Sequence, residues 1–210
     1  MKDHMRLQST NWQTVGGWVA RVLRMDFSVF EEIRSEPAAT LAAVVVVLVA
    51  GVFAGSGSWL WALQHSEFRG IDGGEVFLKS LVLGSLVQTA VWLLWVYLVY
   101  QVLARGYGAQ MDFAELVRTM GFAFVPVAFS ILIAITNLAV PFGLLSFGIT
   151  LLYTNIAIQQ VAGTEVRETT LANLTGFGAF LIVMGVFANI AEVGTFGGIA
   201  PGVLFFSLDL

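Results

Sequence analysis

The side chains able to do acid–base, nucleophilic or metal chemistry lie outside the long apolar stretches of this sequence. His4 is in the polar N-terminal segment, and His65 follows the first apolar stretch. Glu192 ends the charge-free stretch that follows Glu168, and we interpret it as an interface carboxylate rather than a proton-handling group, since charges at membrane depth are costly. Cysteine is absent, which excludes thiol nucleophiles and Cys-ligated metals.

The segment after the first apolar stretch is the densest set of potential ligands. It contains His65 and three carboxylates, Glu67, Asp72 and Glu75, with Arg69 among them. No spacing matches a known ligand set, so we interpret this segment as a solvated outer loop, with cation binding or pigment ligation by His65 as the alternatives.

No catalytic constellation is visible. The run Gly55-Ser56-Gly57-Ser58 is similar to a serine-nucleophile turn, but the apolar stretches contain no histidine base and no aspartate pair. Two histidines outside these stretches exclude a buried bis-His haem, and phosphate-binding glycine loops are missing. The sequence predicts a protein that is not an enzyme, with no catalytic residues, no cofactor and no metal.

Uncharged amides are the polar groups that do occur at depth. They permit two interpretations: hydrogen bonds between helices, worth about 0.6 kcal/mol each, or a polar path for a small solute. Pro126 favours a path because it opens the local hydrogen-bond ladder. Packing is the favoured interpretation, since ion-coupled transporters usually bury a carboxylate. The amides are Gln88, Asn155, Gln159, Gln160, Asn173 and Asn189.

Small residues predict where helices pack closely. Gly51 and Gly55 form a G-x-x-x-G pattern, and Gly176, with Gly178 and Gly185, thins one side of the last stretch. Missing side chains let helix backbones approach each other in lipid. The predicted helix-packing residues are Gly51, Gly55, Gly121, Pro126 and Gly176.

The amino-acid composition indicates that much of the chain's surface faces lipid rather than water. Of its 210 residues 58% are hydrophobic and 11% charged, with a mean hydropathy of +0.85, whereas soluble domains are about a quarter charged. Lipid must therefore solvate the apolar excess. The net charge of -4 without a Lys/Arg cluster argues against a nucleic-acid partner. The fold class is an all-α polytopic membrane bundle.

Charge-free stretches predict five transmembrane helices. The first is 38–63, the second 80–103, and the charge-free run 119–164 holds the third and fourth, with a turn near 137–143 around Pro141. The fifth lies between Glu168 and Glu192. We expect a cytoplasmic segment 1–36, a membrane domain 37–192 and an extracytoplasmic tail 193–210. This Gly/Pro-rich tail reaches about 24 Å as a helix, so we interpret it as interfacial or re-entrant.

Basic residues orient the spans. Eight fall on the N-terminal side and two, Arg69 and Lys79, on the other, which predicts a cytoplasmic N-terminus and an extracytoplasmic C-terminus in the cell (inner) membrane. The eight are Lys2, Arg6, Arg21, Arg24, Arg34, Arg105, Arg118 and Arg167.

The N-terminal segment carries a helical apolar pattern beside Arg21 and Arg24. It predicts an amphipathic helix lying on the cytoplasmic leaflet with its Trp rings at headgroup level. A capping-box spacing at Ser28 and Glu31 predicts a second short helix, and Asp112 and Glu115 repeat this spacing before the third span. The pattern residues are Trp12, Val15, Trp18, Val19, Val22 and Leu23.

Two short stretches resemble a known family. The third span reads Arg118-Thr-Met-Gly121-Phe122-Ala-Phe-Val-Pro126-Val, and Phe30-Glu-Glu-Ile-Arg-Ser-Glu-Pro37-Ala-Ala-Thr40 leads into the first. With five spans, the chain resembles the Yip (Ypt-interacting protein) family, bacterial type, over about residues 18–191. The resemblance implies a multi-pass membrane protein without catalytic residues. The Asp-Leu-Tyr-Gly-Pro segment of eukaryotic members is absent, so their small-GTPase role is not carried over.

These observations predict a non-catalytic structural, accessory or membrane-organising component whose partners are lipids and other integral membrane proteins. A channel or transporter subunit for a small solute is the first alternative. An accessory subunit of an electron-transfer or photosynthetic complex is the second.

Overall fold

The structure is an all-helical bundle of five long apolar helices. The computed structural model describes residues 11–69 and 72–191, and in these ranges no strand occurs. Two short helices, α1 (Trp12–Leu23) and α2 (Val29–Ser35), precede five helices that are long and apolar enough to cross a membrane. The predicted fold class is confirmed, and the chain is a multi-pass membrane protein. The spans are the first, Ala39–Arg69, the second, Gly73–Gly106, the third, Phe113–Ala134, the fourth, Ala139–Ala162, and the fifth, Val166–Ile190.

Span boundaries differ from the predicted ones at the helix ends. The first span continues to Arg69 and the second begins at Gly73, so most of the predicted solvated loop is helical. The chain turns at Ile135, and Pro141 lies inside the fourth span rather than in the turn. A proline in the first helical turn costs no hydrogen bond, because its missing N–H has no partner there. Glu192 and the tail 193–210 lie outside the described residues.

The third span is the central and least regular helix. Over its most apolar stretch 78% of the residues are buried, against 39–44% in the other four. It is α-helical from Phe113 to Ala123 and then continues as a 3-10 helix, Val125–Ala134, with Pro126 in its first turn. Ten residues of 3-10 helix is long for a conformation usually limited to about three or four. The second span contains π-helical turns at Phe77–Leu83 and Val102–Gly106.

Helix α1 packs against protein. Val15, Trp18 and Val22 are buried, and the Trp18 ring meets Phe122 of the third span edge-on at 5.5 Å. The prediction of Trp rings at headgroup level is therefore wrong for Trp18, because the third span offers it an apolar surface. Trp12 is 55% exposed.

The two predicted capping boxes have different outcomes. Ser28 precedes α2, but its hydroxyl donates to Asp26 at 2.5 Å and makes no cap bond. Asp112 does cap the third span, accepting from the amides of Ala114 at 2.6 Å and Glu115 at 3.3 Å. Glu115 itself turns to Arg34, so the reciprocal half of the box is not formed.

Candidate functional site

We call the end of the bundle that carries α1 and α2 the near end, and the opposite end the far end. Arg34 lies in the last turn of α2 and pairs with Glu115 at the start of the third span, with 3.3 Å between Nε and Oε2. It also donates to the carbonyl of Gln160 at the end of the fourth span, at 2.7 Å. At the near end, α2 therefore contacts both the start of the third span and the end of the fourth span.

The first span approaches the second through Gly51 and Gly55. A methyl group built on Gly51 would lie 3.2 Å from Nε2 of Gln88, and one on Gly55 would lie 2.6 Å from the carbonyl oxygen of Ser80. The structure thus places both residues of the G-x-x-x-G pattern at a backbone contact with the second span.

Three further glycines lie at contacts between spans. A methyl group on Gly121 would lie 2.6 Å from Cβ of Ala43, and Gly176 lies directly against the Trp95 ring. Gly57, which the sequence analysis did not single out for packing, lies against the carbonyl oxygen of Ser130 in the third span. The sequence does indicate this contact. Gly57 is two residues from Gly55, so the two glycines lie on different faces of one helix and can each meet a different span.

A buried amide joins three spans at Asn173. Its Oδ1 accepts from the Trp95 indole at 3.1 Å, and its Nδ2 donates to the Thr154 hydroxyl at 3.0 Å and to the Leu151 carbonyl at 3.1 Å. The side chain is 1% exposed. Every hydrogen-bonding atom of this amide therefore has a partner on the second or fourth span.

Gln88 is the opposite case. It is fully buried in the second span, and neither its Nε2 nor its Oε1 has a hydrogen-bond partner. The indole nitrogen of Trp92, one turn away, is also unpaired, as are the hydroxyls of Ser58 and Ser130. Buried polar groups in proteins are paired in the great majority of cases, so this set calls for an explanation.

The remaining predicted amides lie elsewhere. Gln160 donates from Nε2 to the Phe27 carbonyl at 3.2 Å, which helps to seat the turn before α2. Asn155 and Gln159 are half-buried on the fourth span, which packs on the third and fifth spans, and they are not brought together with Gln88. Asn189 is in the fifth helix, but its side chain lies outside the described residues.

Arg118 links the near end together. It is 8% exposed and donates from Nη2 and Nε to the carbonyl of Arg34 at 2.8 and 3.1 Å, and from Nη1 to Thr40 at 3.3 Å. A cation suits the C-terminal carbonyls of a helix, here those of α2. In the sequence, Arg118 is recognisable only as one of the basic residues that orient the spans.

A second charged cluster holds α1 to α2. Arg21 pairs with Asp26 at 2.8 Å and with Glu32 at 2.7 Å, and the Trp18 indole donates to Glu32 at 2.7 Å. The Trp18 hydrogen bond and then Arg21 lower the pKa of Glu32. The pKa of Asp26 is lowered by the Ser28 hydroxyl and by Arg21, and both carboxylates raise the pKa of Arg21.

No site for a metal ion is visible in the described part of the chain, where no three His, Asp or Glu side chains gather. The side chains of residues 65–69, including His65 and Glu67, lie outside it, so cation or pigment binding there stays untested.

Comparison with protein-family models, with curated proteins and with solved structures finds no match. The resemblance to the Yip family therefore stays a prediction.

Proposed function

We propose that this protein is a non-catalytic membrane component that packs against another integral membrane protein. The observation that supports this is one outward-facing stripe, which we call the fourth-span face. Leu145 and Leu152 are 52% and 65% exposed, and a methyl group on Gly148 would meet no atom within 4 Å. The fourth-span face consists of Leu145, Gly148, Leu152, Asn155 and Gln159.

The spacing of these residues alternates between three and four, which is the spacing of a seam between two paired helices. Gly148 leaves room for a close approach. Asn155 and Gln159 are half-buried on this face, and polar side chains between membrane helices gain about 0.6 kcal/mol each by pairing across the interface. We therefore assign the fourth-span face to a transmembrane helix of a partner protein.

Two further features support a non-catalytic role in the cell membrane. Within the described spans the charged side chains lie in the first or last two turns, so no charged group is in the middle of the bilayer. Eight of ten basic residues precede the first span or lie in the last or first two turns of the second, third and fifth spans at the near end, and the positive-inside rule assigns that side to the cytoplasm.

The test replaces Gly148 with a photo-crosslinking amino acid in native membranes. We expect a discrete protein adduct, and we expect Asn155→Leu to weaken it. The matched control is position 53, where Phe53 is 43% exposed on the first span without an amide beside it; it should label lipid. Labelling of lipid alone at both positions would contradict the proposal.

A solute channel or transporter subunit is the second candidate, and the unpaired Gln88 favours it. Gln88→Leu should then abolish solute flux in vesicles while the protein stays folded; unaltered flux in this variant and in the double variant Asn155→Leu, Gln159→Leu would remove this candidate. The electron-transfer or photosynthetic hypothesis depends on His65, whose side chain is outside the described residues, and it stays a prediction.

A further inference from the structure

Gln88 stands at one end of a line of buried polar groups that leads toward the far end of the bundle. The first span contributes Ser58, two turns beyond Gly51 on the same face, and the second contributes Ser85 and Ser80 on the way from Gln88 to its far end. Ser130 of the third span lies beside Gly57, on a different face of the first span, and is not part of this line. All members of the line are at most 2% exposed. We call Ser58, Ser80, Ser85 and Gln88 the far-end seam.

The line is one-sided. Toward the near end, the neighbours of Gln88 are apolar or aromatic. Trp92 and Trp95 are fully buried and meet the ring of Phe124 at 6.4 and 6.2 Å, and Val47 belongs to the same core. Polar side chains thus line the interface of the first and second spans only from its middle outward, and an aromatic layer closes the inner side.

The seam lacks partners for its own polar groups. Ser80 and Ser85 donate to the carbonyls of Val76 and Leu81, but Ser58 and both polar atoms of Gln88 have no partner. A polar group that loses its hydrogen bonds to water and gains none is destabilising. The free donors and acceptors match a molecule that both donates and accepts.

The seam is closed in this structure but bounded by irregular helices. Methyl-sized groups at Gly51 and Gly55 would already crowd the second span, so a bound molecule needs the spans to separate. Gly55 faces the π-helical segment Phe77–Leu83, and Gly57 faces the 3-10 segment Val125–Ala134. Such segments inside longer helices often mark hinges and functional sites.

We propose that the far-end seam opens and admits a small uncharged hydrogen-bonding molecule, water being the smallest, which pairs with Gln88. An uncharged ligand is required because the seam residues carry no charge. Lys79, next to Ser80 in the chain, is engaged elsewhere, with Glu75 at 2.5 Å and with the Ala191 carbonyl at 2.7 Å. The aromatic layer makes this a site entered from the far end, not an open pore.

The absence of cysteine allows a direct test by single substitutions in the full chain. Ser58→Cys and Ser85→Cys are exposed to a water-soluble thiosulfonate reagent in vesicles. Only a thiolate in water reacts, so we expect rates at least tenfold above two controls. Thr150→Cys is equally buried in the fourth span, where Thr150 is hydrogen-bonded to Ser146, and Leu86→Cys faces lipid from the second span. Rates equal to the controls would overturn the proposal.

A second measurement tests the role of Gln88. Adding Gln88→Leu to Ser58→Cys should slow the labelling at least threefold, because the group that holds the entering molecule is gone; an unchanged rate would overturn the assignment to Gln88. Ser85→Cys replaces Ser58→Cys if the latter does not elute as folded protein. These labelling rates are independent of the crosslinking at Gly148, so one proposal can be contradicted while the other still holds.

Discussion

The near and far ends of the bundle treat buried polar groups in opposite ways. Toward the near end, Asn173 and Arg118 have partners for their side-chain donors and acceptors, whereas Gln88 and the hydroxyls of Ser58 and Ser130 have none. Single oxygens of Gln101, Asn155 and Gln160 also lack partners, but those side chains are partly exposed. The fully buried indole nitrogen of Trp92, one turn from Gln88 toward the near end, is an exception to this division. At the near end, paired polar groups hold the helices together. We call this set of contacts, centred on Arg34 and Arg118, the near-end joint. At the far end, unpaired polar groups are available to bind another molecule.

The backbone follows the same division. In the third span, regular α-helix fills the near part and 3-10 helix the far part, beginning where Pro126 removes a donor. The longer π segment of the second span is also at the far end. Helices with weaker hydrogen-bond geometry are easier to rearrange, so the difference in pairing coincides with a difference in expected mobility.

The largest expected effect comes from filling a glycine contact. Gly176→Leu drives a side chain into the Trp95 ring and breaks the Trp95–Asn173 hydrogen bond, and we expect a loss of about 3 kcal/mol, at the upper end for overpacking. Gly178→Leu is the control, since nothing lies within 4 Å of its new carbon. Unfolding in mild detergent measures both. Equal losses would show that Gly176 is not a close contact.

Two buried amides should respond with opposite signs. Asn173→Leu leaves the buried Trp95 indole unpaired and removes the hydrogen bonds to Thr154 and to the Leu151 carbonyl, which should cost about 2 kcal/mol. Gln88→Leu strands no partner and should be neutral or stabilising by up to about 1 kcal/mol. Thermal unfolding of both variants under the same conditions decides this. A comparable loss in both would remove the distinction between the two ends.

The span count was predictable from sequence, but the partners of the polar groups were not. A charge is costly at the centre of a bilayer, so charge-free stretches alone mark the spans. Asn173 and Gln88 look alike in sequence, each an amide in an apolar helix. Their partners depend on how each span is rotated against its neighbours, and short-range patterns carry no information on that.

The environment of the N-terminal segment could not be predicted for a related reason. Its helical spacing correctly indicated α1, but an apolar stripe of this kind can pack on lipid or on protein. In the structure its Trp18 ring packs against Phe122 of the third span. Ser28 had the spacing of a cap and turned to Asp26 instead. Arg118 was counted for its charge, and its contact with Arg34, 84 residues away in the chain, is purely tertiary.

Breaking the near-end joint should release α2 without disturbing the far end. Arg118→Met removes two charge-assisted hydrogen bonds to the Arg34 carbonyl, and we expect a loss of about 1.5 kcal/mol. Proteolysis should then increase in the turn between α1 and α2. Arg105→Met is the control, because Arg105 is exposed at the same end. Arg118→Lys should rescue only in part, since an ammonium lacks the fork of the guanidinium. Full rescue would contradict a bidentate role.

The smallest expected effect is a pH dependence confined to α1. Glu32 has a lowered pKa because the Trp18 indole and Arg21 both bind its ionised form. A carboxylate whose pKa is lowered by folding stabilises the folded state above its ordinary value of 4.5, and this contribution disappears as the pH falls through the lowered value. Asp26 acts in the same direction, and Arg21 stays charged throughout. The seam residues do not titrate, so acid should loosen α1 and leave the far end unchanged.

The indole N–H resonance of Trp18 reports this directly in detergent micelles. We expect its shift to titrate with a midpoint below 4.5, the ordinary pKa of a glutamate, while the exposed Trp12 indole stays constant. Glu32→Gln keeps a hydrogen-bond acceptor but cannot titrate in this way, so the Trp18 shift should become flat. A midpoint at or above the ordinary value would mean that Glu32 gains nothing from Trp18 and Arg21. The ion pairs of α1 would then be surface contacts that contribute little, and the near-end joint would depend on Arg118 and Arg34 alone.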